Sequence, residues 1–432
     1  MNLGARLKES LPESWSVALA ALGKMAADAG LRLCVVGGCA RDLAMGLRPP
    51  DVDLVLEGDA VKFAAAAARA LGLECDSHAR FGVATLRASG GFRFDVASAR
   101  TETYSRPGAL PDVSFGSIED DLRRRDFTIN AIAVELRPGS FGEALDPFGG
   151  LKDIEAGIVR LLHSKSFIDD PTRIARCARF SGRLSFKVEP ETAALAADAL
   201  AAGAMDTVSG ERIKKELKTL FEEKPSGRGR AVAAFSKMGV DSAVCPGYAM
   251  SAALFLPEDL AAESETAERF AVDGAFCGWM AGLAAASIGN ARDVMRRLSE
   301  RICATREEER ILEAAGEIDA GALSAALESA AGGAEVCGAL EALPLEALAA
   351  FRAAASPQAR ARLDDFLLRL RGMKLEITGE DLARIGFGRG PSMGAALAEL
   401  LRRKRNGILS GAADELAAAR DILNNGSERT KY

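Results

Sequence analysis

Two carboxylates one residue apart, Asp51 and Asp53 in DVDLVLEG, follow a glycine pair and an Arg-Asp pair, Gly37-Gly38 and Arg41-Asp42, in VVGGCARDLAMG. On an extended strand alternate side chains share a face, so Asp51 and Asp53 can hold divalent metal together. The glycines let backbone N–H groups approach a triphosphate, and Arg41 adds a cation to that phosphate cradle. This set of residue types suits nucleotidyl transfer.

The elements around the set must position it. LRLCVV is a short apolar run that hands over at Gly37 to the helical ARDLAMG, a junction whose free N–H groups and helix dipole favour bound anions. DVDLVLEG returns as a strand, with Asp51, Asp53 and Val55 on one side and Val52, Leu54 and Leu56 on the other. Over the first 150 residues the pattern predicts helices near 14–29, 40–46 and 60–71 and strands near 32–36, 52–56, 83–87 and 92–98. RRRDFTINAIAVEL predicts a helix and a strand, and LDPFGGLKDIEAGIVRLL a turn and more strand. The whole reads as α+β, a small mixed or antiparallel sheet followed by an all-α remainder. Asp95, in FRFDVASARTE, is the third metal-site carboxylate if a neighbouring strand sets it beside the pair, ahead of Glu102 and Asp76.

From about residue 160 the chain turns to alanine-rich helices. EEKPSGRGR at 222–230 marks a linker or helix boundary. Near the end, Thr378 and Gly379 open a helix, and a glycine-rich turn at 386–394 precedes a basic helix. That turn either caps the helix or sets backbone amides beside RNA phosphates.

With 432 residues, 48% hydrophobic and 27% charged, the chain has the composition of a globular protein of about three modules. No run approaches the ~20 apolar residues of a membrane span, and the N-terminus lacks a signal-peptide core, so a cytoplasmic protein without membrane contact is expected. The eight cysteines show no C-x-x-C spacing, and His78 and His163 lie far apart, which argues against zinc and disulfides. Oxygen ligands and Mg²⁺ fit better. The net charge of −6 does not mark a nucleic-acid binder, but Arg123–Arg125, Arg173, Arg176, Arg179 and Arg183, Lys214, Lys215 and Lys218, and Arg402–Arg405 form basic clusters consistent with salt-sensitive RNA affinity.

EDDLRRRDFTINAIA, residues 119–133, adds a dense polar set: Arg124, Arg125, Asp126, Thr128 and Asn130. With the G-G-x-x-R-D and D-x-D signatures before it, the chain resembles the class II tRNA nucleotidyltransferases, the CCA-adding enzymes, and the bacterial poly(A) polymerases of the same superfamily. The resemblance implies a catalytic head (1–155), a neck (156–225), a body (226–365) and a tail (366–432). It implies ribose recognition by Arg125, Asp126 and Asn130, and it matches IDDPTRIARCARF, residues 168–180, to the family's E-D-x-x-R element, with Asp169 where Glu is usual. His78 in SHARFGVATL falls in another matching segment, and a mobile loop at 101–117 is the family's candidate for coupling base choice to catalysis.

Asp170 and Arg173, three apart on a predicted helix, share a face. Cytosine and adenine both present an exocyclic amine beside a bare ring nitrogen, whereas uracil and guanine present a carbonyl beside an N–H. An accepting carboxylate and a donating guanidinium therefore select C and A. Arg176 and Arg179 are left to support the triphosphate or to face RNA. The expected reaction is template-independent addition of C and A from CTP and ATP to the 3′ end of tRNA, with two Mg²⁺ ions on Asp51 and Asp53 assisted by Asp95. Addition of CC alone, of the final A alone, of poly(A), and a catalytically silent RNA binder are the rival readings.

Overall fold

A computed structural model describes residues 1–78, 82–87, 93–253 and 276–428. Residues 79–81 of SHARFGVATL, the His78 side chain and residues 254–275 of the stretch read as helical lie outside the described residues. The chain divides into two compact units, Met1–Met250 and Ser251–Tyr432, each described by itself.

In the first unit, α1 (Gly4–Ser10) and α2 (Glu13–Asp28) precede β1 (Leu33–Val36), α3 (Gly37–Ala44), β2 (Val52–Leu56), α4 (Ala60–Leu71), β3 (Glu74–His78), β4 (Val83–Arg87) and β5 (Arg93–Ser98). β6 (Arg100–Thr103) and β7 (Asp112–Phe115) then form a separate antiparallel hairpin. After it come α5 (Ile118–Arg123), β8 (Ala133–Glu135), β9 (Ala144–Leu145) and α6 (Gly150–Ala156). The main sheet has the order β3-β4-β5-β2-β1-β8-β9 and is mixed, because β2 and β5 run parallel while the other pairs are antiparallel.

Alternation along β2 decides the two faces. Val52, Leu54 and Leu56 enter a core with Leu19 and Leu22 of α2 and Phe63, Ala64 and Ala67 of α4. Val55 points the other way, into a second cluster with Ile118, Leu122 and Ala133, and Asp53 shares its side. α4 forms because Asp59 caps it by accepting from the Lys62 N–H, its apolar residues repeat at helical spacing, and Gly72 ends it in the left-handed conformation.

Three sequence expectations are corrected here. Asp51 lies just before β2 rather than on it. The 101–117 loop is largely the β6–β7 hairpin, with residues 104–111 as its turn. The stretch after Phe148 contains a helix, α6, before its two-residue strand β10 (Ile158–Val159).

Beyond β10 the unit is helical: α7 (Ser166–Asp169), α8 (Thr172–Leu184), then, after β11 (Lys187–Val188), α9 (Pro190–Ala201), α10 (Gly210–Phe221), α11 (Pro225–Lys237) and α12 (Val240–Val244). α8 and α11 pack in intimate contact at Gly182, where a Cβ would lie 2.2 Å from the Ala231 nitrogen. No larger residue leaves the two backbones this close.

The described part of the second unit is helical, from Gly278–Ser287 to Gly411–Glu428, around one core that includes Phe351, Leu363 and Phe366 and another that includes Leu382 and Leu400. Thr378 caps Gly379–Arg384 in a capping box with Asp381. The basic cluster at the end of helix Pro391–Arg405 is ion-paired: Arg402 and Arg403 to Glu399, Lys404 to buried Glu415, and Arg405 to Glu341.

Candidate active site

One cavity of about 880 Å³ in the first unit gathers residues far apart in sequence. Gly37, Gly38, Arg41, Asp51, Asp53, Arg125, Asp126, Asn130, Asp170, Arg173, Arg176 and Arg179 all line it. Asp95 does not. It stands opposite Asp53 in the β2–β5 register, but its carboxylate accepts from the Thr85 hydroxyl at 2.6 Å and from Arg93 at 2.9 Å.

Burial and the neighbouring charges of Asp51 and Asp95 push Asp53 up to about 6, against a partial offset from Arg125. Crowded carboxylates of this kind are relieved by a cation. Among the described residues no group of three or more His, Cys, Asp or Glu side chains gathers to hold a metal by itself. The donor set instead fits a hard divalent ion that takes one or two carboxylates and completes its shell with substrate phosphate oxygens.

β1 runs into α3 without a loop because Gly37 adopts φ +66°, a conformation costly for other residues. A Cβ here would lie 2.7 Å from Arg125 Nη1, so the glycine also makes room for that guanidinium above the helix N-terminus. Arg125 is anchored by Nη2 on Asp121 at 2.9 Å, and its buried Nε has no partner among the described residues. Cationic donors and the first N–H groups of α3 thus face the same space.

Asp126 is the hub of the floor. Its Oδ1 accepts from the Phe127 N–H and Asn130 Nδ2, both at 2.9 Å, and its Oδ2 from Arg176 Nε and Nη2 at 2.9 and 2.6 Å. Burial opposes the charge, but Arg176 and these hydrogen bonds outweigh it and hold the carboxyl down at about 2. Asn130 Oδ1 in turn accepts from Arg41 Nη1 at 2.7 Å, while Arg41 Nε and Nη2 bond Asp42. A ribose hydroxyl reaching Asp126 must displace one of four donors. Phe180 is the apolar pivot beneath, with the guanidiniums of Arg41, Arg176 and Arg179 over its ring at 5.4, 5.5 and 4.6 Å. Arg179 is otherwise committed to Glu223 at 2.7 Å.

Asp170 and Arg173 do not share a helix face. Asp170 is extended and follows α7, because Pro171 fixes the turn into α8. Its Oδ1 accepts from the Thr172 N–H, the Thr172 hydroxyl and Arg212 Nη2 at 3.1, 2.7 and 2.6 Å. Its Oδ2 has no hydrogen-bond partner among the described residues. Arg173 is buried, with Nη1 on the Ser166 hydroxyl and Nη2 on the Arg124 carbonyl.

Sequence reasoning gave several lining residues a lesser role or none. Glu102 of the hairpin binds Arg100, Arg124 and the Tyr104 hydroxyl, and burial beside Glu102 pushes Tyr104 up to about 12. Arg212 ties Asp170 to the hairpin turn through the Gly108 carbonyl at 3.1 Å. Glu216, Arg183 and Lys215 complete the wall. Arg183 and Lys215 were visible in basic clusters and Glu102 as a lesser metal-site carboxylate, whereas nothing marked Tyr104 or Glu216, and Arg212 reaches Asp170 only through a long-range pairing.

The fold and these signatures define a nucleotidyltransferase of the polymerase β superfamily. Residues 33–160 match the Poly A polymerase head domain. The chain is 31% identical over 396 residues to the CC-adding tRNA nucleotidyltransferase of Deinococcus radiodurans, covering 90% of this chain and 89% of that one. It is 43% identical over 239 residues to the A-adding tRNA nucleotidyltransferase of Halalkalibacterium halodurans, covering 55% of each. The chain spans 55% or less of the length of the A-adding relatives it matches. A solved CCA-adding enzyme in its apo form superposes with a TM-score of 0.85 at 29% identity, covering 98% of this chain and 99% of that one. The chain belongs to the class II tRNA nucleotidyltransferase family. Membership points to use of a divalent metal.

Proposed function

We propose that the protein adds C and A, without a nucleic-acid template, to the 3′ end of tRNA from CTP and ATP, releasing pyrophosphate. The observation that carries this reading is the single cavity that joins the Asp51–Asp53 pair to Asp170 and Arg173. Solved relatives complexed with CTP, with ATP and with tRNA support it.

Asp51 and Asp53 would hold Mg²⁺, with Asp95 in support from the neighbouring strand. Bound there, the metal supplies Lewis-acid stabilisation of the triphosphate and lowers the pKa of the attacking hydroxyl. The chain's own residues do the rest. Gly37, Gly38, Arg41 and Arg125 cradle the phosphates, Arg125 with Asp126 and Asn130 faces the ribose, and the open Asp170 Oδ2 accepts from the base's exocyclic amine. Arg173, held by Ser166 and Arg124, donates to the base's ring nitrogen. Arg176 and Arg179 fix the floor and its positive potential. We divide the chain into a head (1–155), a neck (156–225), a body (226–365) and a tail (366–432), and place it in the cytoplasm.

Addition of A alone is the second reading, favoured by the 43% identity to an A-adding relative. The test is incubation with Mg²⁺ and tRNA lacking its 3′ CCA, with CTP, ATP or both, and resolution of products at single-nucleotide length. Three added residues with both nucleotides are expected. Arrest after CC, action only on CC-ended tRNA, or a long A tail would each select a restricted enzyme instead.

A further inference from the structure

Glu216, on α10, is a carboxylate of the cavity wall that the mechanism above does not use. It is half-buried, and among the described residues it has no hydrogen-bond or ion-pair partner. The cations that face it are engaged elsewhere or solvated: Arg176 is bound to Asp126, Arg179 to Glu223, and Lys215 is exposed. Asp170 faces it from the turn into α8. Burial raises the Glu216 pKa, with Asp170 adding to the effect and Arg176, Arg179 and Lys215 opposing it. A recessed acceptor left open beside a binding site points to a ligand donor.

We propose that Glu216 is a second acceptor for the exocyclic amine of the incoming base, acting beside Asp170 to exclude uracil and guanine. The inference rests on the cavity being the nucleotide site. Cytosine and adenine carry two hydrogens on that amine. Asp170 has one open oxygen, since Oδ1 already serves Thr172 and Arg212. The two amine hydrogens point in different directions, so one open oxygen meets only one of them in line and the other needs a further acceptor. Uracil and guanine place a carbonyl oxygen at the same point. Facing two carboxylates, that oxygen finds no donor and meets like charge, so the second carboxylate works chiefly by rejection.

The test uses Glu216→Gln in the full chain, with CTP, ATP, UTP and GTP supplied singly to tRNA lacking its 3′ CCA, alongside thermal melting. The amide can donate to a carbonyl, so the ratio of kcat/KM for UTP to that for CTP should rise about tenfold, the scale of one charged hydrogen bond. Melting should be unchanged or higher, because an unpartnered carboxylate is removed. Glu216→Leu removes the acceptor and the like charge together, so it should lower CTP and ATP use. It should narrow their margin over UTP less than the Gln variant does, since leucine offers the carbonyl no donor. A wild-type ratio in an active Gln variant, a uniform loss with all four nucleotides accompanied by lower melting, or unaltered CTP and ATP use by the Leu variant would overturn the role. A wild-type protein inactive with CTP and ATP would instead overturn the nucleotide reading, and this inference with it.

Discussion

Replacing Arg176 by alanine leaves the Asp126 carboxylate buried with half of its donors gone. The free carboxyl titrates near 3.8 and the folded one at about 2, so its surroundings favour the charged form by about 2.5 kcal/mol at ~1.36 kcal/mol per pH unit. Removing the guanidinium forfeits its share of this stabilisation while the Phe127 and Asn130 bonds remain, and breaking a buried pair costs ~3–5 kcal/mol in all. Arg176 is about a third exposed, so water screens part of the interaction, and a loss of about 3 kcal/mol is expected. Urea denaturation of wild type and Arg176→Ala at pH 7 measures it, and melting should fall by roughly 6–12 °C.

The pH dependence carries its own sign. Because the folded carboxyl titrates below the unfolded one, its contribution is fully present above the unfolded value of 3.8 and is lost as pH falls through about 2. The gap between the two proteins should therefore hold from pH 7 to 5 and narrow by about half at pH 3. A loss under about 1 kcal/mol at pH 7, or a gap equal at pH 7 and pH 3, would refute the assignment of Asp126 as the charged hub.

Asp53→Asn relieves a crowded carboxylate, so under chelator the variant should be about 1–3 kcal/mol more stable than wild type in urea, while nucleotide incorporation with Mg²⁺ drops at least ~10²-fold. Unchanged incorporation would remove Asp53 from the reaction. Gly37→Ala forces a left-handed alanine against Arg125, costing ~1–2 kcal/mol, and should raise KM for both CTP and ATP by a common factor. A change confined to one nucleotide would place the glycine elsewhere than at the phosphates. Asp170→Ala or Arg173→Ala should relax discrimination against UTP and GTP by about tenfold or more; preserved discrimination in an active variant would sink the base-reading assignment.

What the sequence disclosed followed local physics. β2 and α4 came out at 52–56 and 60–71 because alternation and a capped, apolar-striped helix are signals within one element. β3 went unseen: ECDSH is polar and sits on the sheet edge, where no core imposes alternation. The hairpin passed for a loop because its strands are four residues each and every residue of β7 is exposed. In the site, residue types and motif order were readable, yet partnerships across 42 residues, such as Arg212 with Asp170, leave no local trace. Pro171 takes Asp170 off the helix, so the two residues expected to share one helix face are two separately anchored groups.

The intimate seam at Gly182 gives α8 the character of a ruler. A helix able to slide or roll would let its arginines wander by a turn, about 5.4 Å. With its backbone seated on Ala231, and with Arg230 Nε donating to the Gly182 carbonyl at 3.0 Å, α8 is fixed in register. Arg173, Arg176, Arg179 and Arg183 are then graduations along roughly 15 Å of axis, running from the Asp170 end to Asp42 of α3, which Arg183 approaches at 4.0 Å. On the proposed function the base would lie at the Asp170 end and the phosphates toward α3, so a nucleoside triphosphate laid along this scale would be measured for orientation before any bond is made.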